Sequence, residues 1–129
     1  MPVVPHLESL AAVAEQSRTT EHFSLGWRDF LDGFYSKPEE AALSSTPKFL
    51  RHVLADNGYA DAFLGALAEH LARQYQFPVP DWCRKPDRTL AEPHFAFKTH
   101  EGRMFLLVES PTAFRSRNIF ISADALTRV

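Results

Sequence analysis

Cys83, His94 and Glu109 are the side chains of this 129-residue chain whose types suit bond making and breaking: a thiol nucleophile, a base and a carboxylic acid. Arg84 and Lys85 follow the cysteine directly, and positive charge of that kind favours the reactive thiolate. No glycine-rich turn accompanies it to build an oxyanion hole, and a lone cysteine otherwise behaves as a small core hydrophobe. Glu92, Glu101 and Glu109 fall in the same region. Acid–base work by carboxylates needs two of them held about 5–10 Å apart, and no spacing here pairs them. The histidines, His6, His22, His52, His70, His94 and His100, have no His or Cys at i+3 or i+4, so none forms the helical pair that metal binding favours. The glycines are isolated, which removes the dinucleotide fingerprint and the P-loop. The expectation is no metal and no cofactor.

A second group carries binding chemistry. Arg84, Lys85 and Arg88 flank Trp82, Arg115 and Arg117 flank Phe114, and Phe95 lies between the two clusters. Guanidinium stacks on aromatic rings and forks onto carboxylate or phosphate, which suits protein interfaces and nucleic acid alike. Internal pairing with Asp81, Asp87 or Glu109 competes with both uses. Net charge of −2 argues against a general nucleic-acid binder. The charge is uneven: residues 1–64 carry five basic and nine acidic side chains, residues 65–129 nine and seven. Such a dipole orients encounters with a charged partner, although a difference of a few charges also arises by chance.

These residues need a scaffold, and the composition provides for one. Apolar residues make up 45% and charged residues 23%, the balance of a soluble globular domain. A chain of this length buries roughly two-thirds of its unfolded surface, enough for one domain over residues 1–129. A single cysteine excludes an internal disulfide and fits a reducing compartment. Residues 1–6 lack the pattern of a signal peptide, and no run of 18 apolar residues spans a membrane. The expected location is cytoplasmic.

Periodicity places helices along most of the chain. Leu7, Leu10, Ala11 and Ala14 predict a thin amphipathic helix within residues 1–20, loosely packed or set against a second chain. Thr19 or Thr20 caps a second helix whose Phe23, Trp27, Phe30, Leu31 and Phe34 form a wide aromatic face, with Gly26 and Gly33 permitting close packing. Ser36-Lys37-Pro38-Glu39 reads as a capping box for a short helix through Leu43, and Thr46-Pro47 as the start of another through Leu54, closed by Asp56-Asn57-Gly58. The longest helix is expected from Tyr59 to Gln76, with Asp61, Glu69, Arg73 and Gln74 facing out and Pro78 and Pro80 ending it. Beyond it, Asp81 caps one helical turn, residues 101–110 suit helix or strand equally, Asn118–Ser122 is the best strand, and Ser122 caps a final turn. The fold class is mainly α: four to five helices, a proline-rich C-terminal region and at most one short β pair.

Trp27-Arg28-Asp29-Phe30-Leu31-Asp32-Gly33-Phe34-Tyr35, Leu67-Ala68-Glu69-His70-Leu71-Ala72, Pro78-Val79-Pro80-Asp81-Trp82, Leu107-Val108-Glu109-Ser110-Pro111 and Phe114-Arg115-Ser116-Arg117-Asn118-Ile119-Phe120 carry a family likeness. Over about residues 25–129 the chain resembles a family of small bacterial proteins found beside nucleotidyltransferase-like partners in toxin–antitoxin-type pairs. Where that pattern has Pro-Trp-Phe, this chain has Pro93-His94-Phe95. The resemblance implies an antitoxin-like or accessory protein and supplies no active-site residues. Joined to the residue reading, it makes a non-enzymatic, partner-binding protein the leading expectation, with the product of an adjacent gene or a second copy as partner. Trp82 and Phe95 would be its anchors and Arg84, Arg88, Arg115 and Arg117 its charged contacts. The rival is an enzymatic or ligand-binding pocket near Cys83, His94 and Glu109, and the third reading is a nucleic-acid-associated module.

Overall fold

The computed structural model describes residues 6–127. Their order is α1 (Leu10–Gln16), α2 (Thr20–Ser36), α3 (Ala41–Ser44), α4 (Tyr59–Gln74), two 3₁₀ turns (Asp81–Arg84 and Pro86–Arg88), β1 (His94–Phe95), α5 (His100–Glu109), α6 (Thr112–Arg115), β2 (Ile119–Phe120) and a last 3₁₀ turn (Ala123–Leu126). The architecture is therefore mainly helical with one short strand pair. That pair is parallel, His94 opposite Ile119 and Phe95 opposite Phe120. No helix among the described residues is long and apolar enough to cross a membrane.

The aromatic stripe of α2 meets α4. Phe23 and Trp27 lie 5.8 and 4.8 Å from Phe63, and Phe34 lies 5.3 Å from Tyr75, ring centre to ring centre. Phe63 then reaches Phe114 of α6 at 5.1 Å, so one aromatic chain links three helices. Each such ring contributes about 1.5–3 kcal/mol by leaving water. The first half of α4 is enclosed on every side: Ala60 through Ala68 are all buried. That is the signature of a central helix, which has no solvent face to offer.

The caps at Thr19 and Ser9 form as hydroxyls accepting from His22 N–H and Ala12 N–H. α1 is packed against α2 with Leu10, Val13 and Ala14 wholly buried, so residues 10–16 are not loose. A Cβ at Gly26 would lie 3.4 Å from Val13 Cγ1, the close approach expected there. Residues 1–5 lie outside the described residues.

Three expectations need correction. The Ser36 capping box does not form, because the aromatic stripe carries α2 on to Ser36, whose hydroxyl donates to Asp32 O. Residues 46–54 are not helical. Pro47 O accepts from Arg88 and Leu50 N–H donates to Asp61, so two backbone groups a helix would use are taken by buried charges. Asp56-Asn57-Gly58 opens α4 instead of closing a helix: the Asp56 carboxylate accepts from Gly58 and Ala60 N–H, and Gly58 turns the chain at φ 85°. The stretch 101–110, ambiguous in sequence, is helical from His100 to Glu109, with Thr99 as N-cap and Ser110 as C-cap.

Candidate functional site

Two of the expected contact residues, Trp82 and Arg88, lie inside the molecule. Asp61, expected to face water, is fully buried on α4 and receives Leu50 N–H at 2.6 Å. Arg88, 1% exposed, approaches it at 3.8 Å and donates to Pro47 O at 2.6 Å. Its guanidinium lies between the Phe49 and Trp82 rings, 4.1 and 5.0 Å from their centres. Trp82 in turn donates its indole N–H to Leu43 O at 2.9 Å. Burial pulls the Arg88 guanidinium below its ordinary range, and the Asp61 charge opposes that shift. These side chains tie the segment before α4 to the turns after it and offer nothing to a partner. Their interface role is withdrawn, for a reason of geometry: the pairing acid was one turn into the helix expected to expose it.

Arg117 is also internal, 5% exposed. It meets Glu69 at 2.8 Å and donates to Ala113 O and Cys83 O, each at 2.8 Å. Arg73 holds the second Glu69 oxygen at 2.8 Å, as the i, i+4 spacing predicts. Burial alone would raise the Glu69 carboxyl, but hydrogen bonds from Arg117 and Arg73 outweigh it and hold the group below its usual range. Gly65 makes room for both arginines on α4: a Cβ there would lie 2.9 Å from Arg88 Cβ and 3.3 Å from Arg117 Nε.

Cys83, His94 and Glu109 are not brought together in one cleft. The Cys83 thiol is buried, donates to Pro80 O at 2.9 Å, and is pushed up by that burial, with Arg117 opposing. A protonated, enclosed thiol is a poor nucleophile. His94 lies 4.4 Å from Tyr59, ring centre to ring centre, with the rings tilted by 44°, and lines a cleft of about 400 Å³ with Asp56, Asn57, Leu90, Ala91, Glu92 and Pro93. Burial and then Lys98 lower the His94 imidazole, and burial pushes the Tyr59 phenol up to about 12. Neither Cys83 nor Glu109 lines this cleft, and Glu109 is exposed at the far end of α5. Among the described residues, no three His, Cys, Asp or Glu side chains are grouped to hold a metal ion.

The remaining expected contacts are outward or half-buried. Arg84 is exposed and 3.9 Å from Asp81, a pairing worth little in water. Arg115 is exposed and donates to Leu107 O at 3.2 Å, which caps the end of α5. Phe95 is half-buried, its ring stacked on Phe120 at 4.6 Å and covered by Arg103 at 5.4 Å.

The surface that stands out was not assigned from sequence. α5 buries Leu106, and its C-cap Ser110 is buried too, while Met104, Phe105, Leu107 and Val108 turn to water at 53, 48, 43 and 76% exposure. Phe97 packs against the same helix, 6.5 Å from Phe105, and is itself 45% exposed. At 100° per residue these four helical positions cover a broad arc opposite Leu106. The signal lay in the run Met104-Phe105-Leu106-Leu107-Val108. Read as a helix, five consecutive apolar residues cannot all face one side. The Thr99 cap, with Gly102 N–H donated to its hydroxyl, decides that reading.

No protein-family model matches this chain, and no match was found among curated proteins or solved structures.

Proposed function

We propose that the chain is a non-enzymatic partner-binding protein whose contact surface is the outer face of α5 together with Phe97. The observation that carries this reading is the four large apolar side chains in one helix left facing water, with a fifth packed beside them. Side chains of this size offer on the order of 200 Å² each when bare, so their exposed fractions amount to about 500 Å² of apolar surface. Patches of that size on a monomer mark interaction sites. The polar groups that would serve an enzyme are spent inside: Arg88 on Asp61, Arg117 on Glu69, and the Cys83 thiol on Pro80 O.

The family resemblance supports an antitoxin-like or accessory role toward a nucleotidyltransferase-like protein. In that assembly Arg84 and Arg115, outside the apolar arc and exposed, are the charged contacts left to a partner. The test is co-purification of the chain with itself and with the product of the neighbouring reading frame, using wild type and Phe105→Glu. A folded Phe105→Glu chain should lose association by roughly 100-fold. Undiminished association at micromolar concentration would remove the α5 face from the reading.

A further inference from the structure

We infer that the occupant of the α5 face is a second copy of this chain, its α5 running antiparallel to the first across a two-fold axis. The inference rests on the partner-binding reading above and names the partner. Three features point to self-association.

The first is area. Met104, Phe105, Val108 and Phe97 of two copies brought together remove about 900 Å² of apolar surface, the size of a weak, reversible contact. No pocket or groove has to be found on another molecule, because a two-fold interface uses one patch twice.

The second is the pattern on the helix. Glu101, Met104, Phe105 and Val108 follow the i, i+3, i+4, i+7 spacing of one face. The stripe is symmetric about the midpoint of Met104 and Phe105. An antiparallel two-fold there sets Met104 against the partner's Phe105 and Glu101 near the partner's Val108, at the edge of the contact.

The third is charge. Glu109 ends α5, and no basic residue lies in its last turn. A carboxylate beside the negative end of its own helix is unfavourable. Antiparallel pairing moves each Glu109 toward the positive N-terminal turn of the other helix. A parallel pair would leave that mismatch in place. The flanking charges, Lys98 and Arg103 against Glu101 and Glu109, balance in sign, so a second copy meets no net repulsion.

Sedimentation of the purified chain alone, up to about 100 µM, should show a monomer–dimer equilibrium, as expected for a modest interface. Val108→Asp and Phe105→Glu should each weaken it by about 100-fold or more, while circular dichroism and thermal melting stay those of the folded wild type. For orientation, Glu101→Cys and Val108→Cys chains are mixed and oxidised. The mixed disulfide should exceed the Val108→Cys homodimer, and the reverse result would overturn the antiparallel arrangement. A chain that stays monomeric overturns self-association. If its α5 amides then gain hydrogen-exchange protection only with the neighbouring gene product, partner binding stands without the second copy. If they gain none, both readings fall.

Discussion

Arg117 reaches across from the turn after α6 to Glu69 on α4, Nη1 to Oε1 at 2.8 Å, while its other amino group holds Cys83 O at 2.8 Å. One guanidinium therefore joins the central helix, the 3₁₀ turn at Asp81–Arg84 and the C-terminal segment. Three of the six residues expected to meet a partner, Trp82, Arg88 and Arg117, instead hold the interior together.

That relationship makes Glu69→Gln costly. Removing the carboxylate leaves the Arg117 charge buried without its partner, so urea unfolding should show a loss of about 2–4 kcal/mol. The double change Glu69→Gln with Arg117→Met should cost less than the two single changes added together, because the pair acts as a unit. Additivity would show that the contact contributes nothing as a pair.

The same carboxyl sets an acid limit. Its folded-state value lies below the ordinary 4.5, so the stability it contributes is present above that pH and is lost as pH falls through the lowered value. Stability should thus decline below about pH 4.5, and Glu69→Gln should flatten that part of the curve.

His70 acts at milder pH. Burial against Phe114, 6.1 Å away, lowers its imidazole below the ordinary 6.5. A histidine kept neutral in the fold protonates first in the unfolded chain, so folding weakens as pH drops below 6.5 toward the lowered value. Unfolding midpoints of wild type should fall from pH 7 to pH 5, and those of His70→Gln should fall less. Equal slopes would exclude His70 as the group responsible.

Gly65→Ala should destabilise although alanine favours helix by about 1 kcal/mol. The added Cβ meets Arg88 Cβ at 2.9 Å, and overpacking of this kind costs roughly 1–3 kcal/mol. A net gain in melting temperature would show that the Arg88 turn shifts freely.

Arg84→Glu separates scaffold from contact. Its tie to Asp81 is long and exposed, so unfolding should change by no more than about 0.5 kcal/mol. Weaker capture of an acidic partner by this folded variant would assign Arg84 to binding. Trp82→Phe should do the opposite, losing about 1–3 kcal/mol of stability by stranding Leu43 O.

Sequence alone determined what short-range physics controls. The Thr19 cap and the Phe23–Phe34 stripe specified α2, the apolar run from Ala60 specified α4, and the isolated Ile119-Phe120 specified a strand, because caps and periodicity act within a few residues. Tertiary structure decided which charges were inside. Asp61 and Arg88 are 27 positions apart and Glu69 and Arg117 are 48 apart, so no local pattern could pair them. Those buried pairs drew in Pro47 O and Leu50 N–H and kept residues 46–54 from becoming helix. The exposed face of α5 was likewise settled from a distance. The packing of Leu106 and Ser110 on the body fixed how the helix is turned, and among the described residues none covers the remaining apolar side chains, which face water.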